Sequence, residues 1–243
     1  MSTPVIELRD VSFTFGGPPI LCGVNLRIEP LDFVCALGPN GGGKTTLLRL
    51  ILGLLQPTSG SVRLFGGSPE ENRSRVGYMP QHTHFDPQFP VTALDVVLMG
   101  RVCGPRALGR YGRADREIAD HALREVGLGE HRRRPFAALS GGQRQRALIA
   151  RALACEPELL LMDEPSANLD AGMQDEFHEL LTNLNQRLTL VVVSHDVGFV
   201  SRYVKTVVCV NRHARLHTTG EITAEVISEL YGRNMRLVRH DHH

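Results

Sequence analysis

Residues 33–55 constrain what this chain can fold into more than any other stretch. Phe33-Val34-Cys35-Ala36-Leu37 is an unbroken apolar run of strand length, suited to a strand buried on both faces of a parallel sheet. It stops at Gly38-Pro39-Asn40-Gly41-Gly42-Gly43-Lys44-Thr45. The segment TTLLRLILGLL (45–55) that follows has helical length and apolar character. Strand, glycine-rich turn and helix in immediate succession predict a βα unit. Within it, residues 38–45 fit GxxxxGK[ST] in full, in the strand-before, helix-after context that the pattern requires.

That pattern has a chemical meaning. The glycines, with Pro39 and Asn40 between them, let backbone N–H groups turn inward around a phosphate, and the helix start adds its positive end. Lys44 places a point charge on the β- and γ-oxygens, and the Thr45 hydroxyl is a Mg²⁺ ligand. Thr46 completes the candidate phosphate-binding set. Lys44 and Lys205 are the only lysines in a chain of 25 arginines. A sequence that otherwise uses arginine thus keeps a compact ammonium where phosphoryl chemistry wants one.

A second element complements the first. Leu159-Leu160-Leu161-Met162 reads as a buried strand, and Asp163 and Glu164 emerge at its carboxyl end. In an open α/β sheet that end faces the ligand crevice. Asp163 is placed to hold Mg²⁺, and Glu164 to orient or deprotonate an attacking water.

The rest of the chain alternates strands and helices, which predicts an α/β architecture with right-handed crossovers. VIELRDVSFTF, VNLRI, SVRLF and VGYMP read as strands in the first part. LTLVVVS reads as a buried strand later, and TVVCV and ARLHTT as edge strands. Residues 82–150 differ: they are Arg-rich and carry helical patterns. The expected organisation is a core lobe of residues 1–81 and 151–243 around a helical lobe of residues 82–150.

Charge and composition then exclude several classes. The 243 residues carry a net charge of +1, but residues 101–151 hold 12 arginines against five acids, a local +7. Such a face suits an anionic membrane surface or nucleic acid. Aromatics are only 5% with no Trp, a poor supply for stacking single strands. No apolar run approaches 18 residues, and MSTPVIELRD has none of the features of a signal peptide. Five cysteines without a CxxC pair suit reduced thiols in a cytosolic protein.

Leu139-Ser140-Gly141-Gly142-Gln143 opens a predicted helix with Ser140 as its N-cap. On this string, the phosphate loop and the Asp163-Glu164 pair, the sequence resembles the ATP-binding subunit of ABC transporters over essentially the whole chain. The resemblance implies a P-loop NTPase core with a mixed or parallel sheet, flanking helices and an inserted helical subdomain. It implies ATP hydrolysis with ATP and Mg²⁺ as cofactors, and a homodimer that sandwiches two ATP head to tail. Ser140, Gly141, Gly142 and Gln143 would then meet the γ-phosphate held by the other copy. Gln81 matches the Q-loop glutamine that senses Mg²⁺. Asp170, closing Ser166-Ala167-Asn168-Leu169-Asp170, matches the D-loop, and His195 the switch histidine. Phe15 stands where the family usually stacks a Tyr on adenine. Glu164, His195 and Lys44 form the implied catalytic set.

FPVTALDVVLMGR (89–101) and the closing Leu230-Tyr231-Gly232 resemble the zinc/manganese-type branch of metal-ion importers. That implies metal import, zinc ahead of manganese, on the cytoplasmic face of the membrane. A permease would dock on residues 81–101, with a periplasmic or extracellular metal-binding protein taking part indirectly. The tail residues His240, His242 and His243, with Asp241 among them, are competent soft-to-borderline metal ligands. The alternatives are an ABC ATPase for another cargo, or a non-transport one acting on nucleic acid or ribosomes. The DNA-repair type inserts long coiled coils and the ribosomal type carries two cassettes, and this chain has neither.

Overall fold

The computed structural model describes residues 3–81, 90–102, 111–166, 171–194, 204 and 206–218. In chain order the described strands are β1 (Ile6–Phe13), β2 (Leu21–Ile28), β3 (Phe33–Leu37), β4 (Ser59–Leu64), β5 (Val76–Met79), β6 (Leu159–Asp163), β7 (Thr189–Ser194), β8 (Thr206–Asn211) and β9 (His213–Thr218). The described α-helices are α1 (Lys44–Ile51), α2 (Pro69–Asn72), α3 (Ala93–Leu98), α4 (Arg113–Glu125), α5 (Gly141–Leu153) and α6 (Ala171–Asn185).

The strands form two sheets. One is antiparallel, in the order β2-β1-β4; the other is six-stranded, in the order β5-β6-β7-β3-β8-β9. All ladders of the larger sheet are parallel except the closing β8–β9 hairpin. Every residue of β3, β6 and β7 is buried, as an apolar run with no polar face requires. Their side chains alternate between two cores. Cys35, Leu37, Leu160, Met162 and Val192 join the core that contains α3, α4, α5 and part of α6. Val34, Ala36, Leu161, Val191 and Val193 join the core built from β1, β2 and α1. Each fully buried leucine in these layers contributes about 1.5–3 kcal/mol, so the central strands are anchored on both sides.

The N-terminal strands β1 and β2 form, with β4, the separate antiparallel layer, because β1 alternates inward and outward residues and needs only one buried face. One sequence expectation changes. TVVCV is not an edge strand: β8 lies between β3 and β9, with Val207–Val210 buried. Its unbroken apolar run is the signature of a strand covered on both faces.

The helices between β5 and β6 share the sheet's core. Thr92 caps α3 through a reciprocal box with Asp95, worth about 1 kcal/mol. At the end of that segment the mostly buried Arg101 donates to the Ala154 carbonyl at 2.7 Å. It also pairs with Asp115 at 3.2 Å and Glu156 at 3.0 Å. One guanidinium thereby fastens the exit of α3 to α4 and to the turn after α5. Short α2, absent from the sequence reading, is held by a box between Ser68 and Glu71 with Pro69 at its first position.

Candidate active site

The site is built at the carboxyl edge of β3, β6 and β7. β3 ends at Leu37, and the chain turns through residues 38–43 into α1. Gly43 is the helix cap at φ 103°, a left-handed conformation that favours glycine, and no side chain caps α1. The first N–H groups of α1 are therefore left for an anion. Gly38 answers a different need. A Cβ there would lie 2.0 Å from the Val210 carbonyl oxygen, so β8 presses against the loop too closely for any side chain. The Arg212 N–H donates to the Gly42 carbonyl at 3.3 Å, and the β8–β9 hairpin thus braces the loop from behind.

Lys44 is buried, and its Nζ donates to the Gly38 carbonyl at 2.7 Å and the Pro39 carbonyl at 3.0 Å. The ammonium folds back under its own loop and holds the loop's curvature. Thr45 Oγ1 donates to Asp163 Oδ2 at 2.9 Å across 118 positions of sequence. The other carboxylate oxygen, Asp163 Oδ1, is buried with no hydrogen-bond partner among the described residues. Burial pushes the Lys44 ammonium down from its ordinary value, partly offset by the charges of Glu164 and Asp163. Burial likewise pushes the Asp163 carboxyl up, opposed by its hydrogen bond from Thr45. Two opposite charges are thus held in a dry place without full compensation. A bound triphosphate with a hard divalent cation would supply it. A hydroxyl and an orphaned carboxylate oxygen are the donor set that Mg²⁺ prefers, so the residues present fit that ion.

Glu164 leaves β6 at φ 54°, in the left-handed region. For a non-glycine residue this is strained, and such strain gathers at functional sites. The Glu164 N–H donates to the Val193 carbonyl at 3.0 Å, which fixes the turn that carries the carboxylate off the end of the strand. The β5–β6 register pairs Met79 with Met162, so Gln81 leaves the sheet at the same edge and is exposed. His195 follows Ser194, the last residue of β7, and lies outside the described residues. So do Asp170 and the tail residues His240, His242 and His243.

Phe15 sits in the turn between β1 and β2. It is 65% exposed, yet its ring stands edge-on against Phe13 with centroids 4.7 Å apart. The turn is pinned by Thr14, whose hydroxyl donates to the Gly17 carbonyl at 2.7 Å. The returning strand starts at Leu21, whose Cδ2 would lie 2.8 Å from a Cβ on Gly43. A supported, exposed aromatic face is chemically suited to stacking a base. Phe15→Ala is expected to weaken ATP binding about tenfold, and Phe15→Tyr to leave it unchanged. Titration of each variant with ATP checks this; equal affinity for all three removes Phe15 from the site.

The signature string stands on another element. Ser140 caps α5 by accepting from the Gln143 N–H at 3.2 Å, and Gln143 Oε1 accepts from the Ser140 N–H at 3.0 Å. Gly142 is buried, while Ser140 and Gly141 are exposed. Among the described residues, no hydrogen bond joins this helix start to the phosphate loop of its own chain. The sequence reading passed over two contributors. One is Val210, whose carbonyl backs the loop. The other is His131, whose Nε2 lies 3.2 Å from Gln143 Nε2. Neither carries a local signal: the first acts through its backbone, and the second is one histidine ahead of an arginine run.

The sequence profile of the ABC transporter family matches residues 21–167, more than half of the chain. The chain belongs to the ABC transporter family. It is an ATP-binding, ATP-hydrolysing subunit of that family. This ABC ATPase is 39% identical, over all of its length and 89% of the relative, to the zinc import ATP-binding protein ZnuC of Pseudomonas fluorescens. It is 35% identical, over 96% of its length and 95% of the relative, to the manganese transport system ATP-binding protein MntB of Bacillus subtilis. A solved dimeric bacterial ABC transporter cassette superposes with a TM-score of 0.75 at 30% identity, covering 88% of this chain and 98% of that one. Among the described residues, no helix of this ABC ATPase is long and apolar enough to cross a membrane.

Proposed function

We propose that this ABC ATPase powers import of a divalent metal ion, zinc ahead of manganese, through a membrane permease. The observation that carries the cargo is full-length similarity to ATP-binding proteins named for zinc import and for manganese transport. The geometry supports the chemical half of the reading: phosphate loop, Thr45, Asp163 and Glu164 converge at one sheet edge.

In this reading the loop 38–46 and Lys44 hold the triphosphate, and Phe15 carries the adenine. Thr45 and Asp163, with Gln81, would hold Mg²⁺, which supplies charge neutralisation on the phosphate oxygens. Glu164 accepts a proton from the attacking water, and His195 contacts the γ-phosphate. Ser140, Gly141, Gly142 and Gln143 complete the site of a second copy, with Asp170 at the junction. A closed homodimer of this kind agrees with the dimeric cassette that this chain resembles. Residues 82–150 form the lobe that moves against a core of 1–81 and 151–243, and residues 81–101 receive the permease on the cytoplasmic face. The tail histidines bind metal as a sensor or buffer.

The test is uptake of radioactive zinc and manganese by cells with and without the gene for this chain. Loss of zinc uptake alone is expected. Loss of manganese uptake alone reverses the preference, and loss of neither overturns metal import.

A further inference from the structure

Gln143 has two ends, and the structure fixes which is which. Its Oε1 accepts the Ser140 N–H at 3.0 Å, so its Nε2 must be the donor end. That donor end lies 3.2 Å from His131 Nε2, which must therefore be an acceptor. His131 belongs to a tight turn, Gly129–His131, between α4 and the signature. The turn is closed by its own backbone: the His131 N–H donates to the Leu128 carbonyl at 2.9 Å, and the Arg134 N–H donates to the His131 carbonyl at 2.9 Å. The imidazole thus faces the signature from a built turn.

We propose that His131 is a positioning residue for the signature: it holds the Gln143 amide in the rotamer that closes the Ser140 box. An amide without an acceptor at its Nε2 end can rotate or flip. A flip would aim Nε2 at the Ser140 N–H, donor against donor, and open the box. The first turn of α5 would then lose the alignment of its exposed N–H groups. The inference rests on the reading that these groups serve the ATP held by a second copy. His131 therefore acts on dimer closure and turnover and leaves a single copy's own hold on ATP untouched.

The test uses the full chain with Mg-ATP. His131→Leu keeps bulk and removes the acceptor; His131→Gln restores an acceptor at similar reach. In the parental background, His131→Leu is expected to lower ATP turnover about fivefold. ATP affinity and melting temperature should stay within error of the parent, and His131→Gln should recover most of the turnover. ATP-driven dimerisation, measured with Glu164→Gln also present, should weaken in the same order. Turnover and dimerisation of His131→Leu at parental levels overturn the assignment. So does equal impairment of the Leu and Gln variants, which marks a role in packing alone. Ser140→Arg separates the two layers of the argument. If it abolishes the ATP-driven dimer while His131→Leu does not weaken it, only the role of His131 falls. If Ser140→Arg leaves the dimer intact, the underlying reading of the signature falls.

Discussion

Glu164→Gln is expected to bind ATP like the parent, to hydrolyse it more slowly by a factor on the order of 10²–10³, and to accumulate as a closed dimer. The substitution keeps side-chain size, and Glu164 N–H donates to Val193 through the backbone, so the left-handed turn at φ 54° is no worse for glutamine. What is lost is the ability to accept a proton. The triphosphate cradle lies on other residues, so binding and closure survive while the reaction stalls. Phosphate release in a single turnover and gel filtration with ATP check the two halves. Turnover at the parental rate assigns the base elsewhere.

Lys44→Ala acts one step earlier. It removes the ammonium proposed to meet the phosphates and leaves the Gly38 and Pro39 carbonyls without their donor. Hydrogen bonds to a charged group contribute about 1.5–3 kcal/mol, so ATP affinity is expected to fall about 10–100-fold. Lys44→Arg should not restore it. The buried slot under the loop holds one ammonium donating to two carbonyls, and a planar guanidinium has neither the size nor the donor geometry for it. Equilibrium binding of a fluorescent ATP analogue distinguishes these outcomes; parental affinity in Lys44→Ala would place the phosphates elsewhere.

The loop, the acidic pair and the capped α5 were legible because each is encoded locally. An apolar run, a glycine string and a capping residue are readable within ten positions. The partition into two sheets was not, because strand pairing is decided by partners far away. Ile6 pairs with Leu64 and Val34 with Thr206, and neither has a mark in its own neighbourhood. TVVCV shows that the signal was partly there, since its lack of a polar face resembles FVCAL more than the alternating β1. The short helix α2 also had its cue, Ser68 with Glu71 three positions on, in a stretch between SVRLF and VGYMP to which the sequence reading assigns no element. In the site, Thr45 and Asp163 could be matched by type, but only their 2.9 Å contact joins them. The support of Gln143 by His131 lay beyond any motif.

The close approach of Val210 to Gly38 has a consequence for biogenesis. The phosphate loop is made early, yet the strand that backs it is made about 170 residues later. At the usual pace of synthesis, about 5–20 residues per second, that is a delay on the order of ten seconds or more. A nascent chain that has delivered the loop but not β8 has an incomplete wall behind Gly38 and Gly42. The loop is therefore finished only when β8 and β9 arrive. ATP, as a ligand of the finished fold, then favours the full-length product over its truncated precursors.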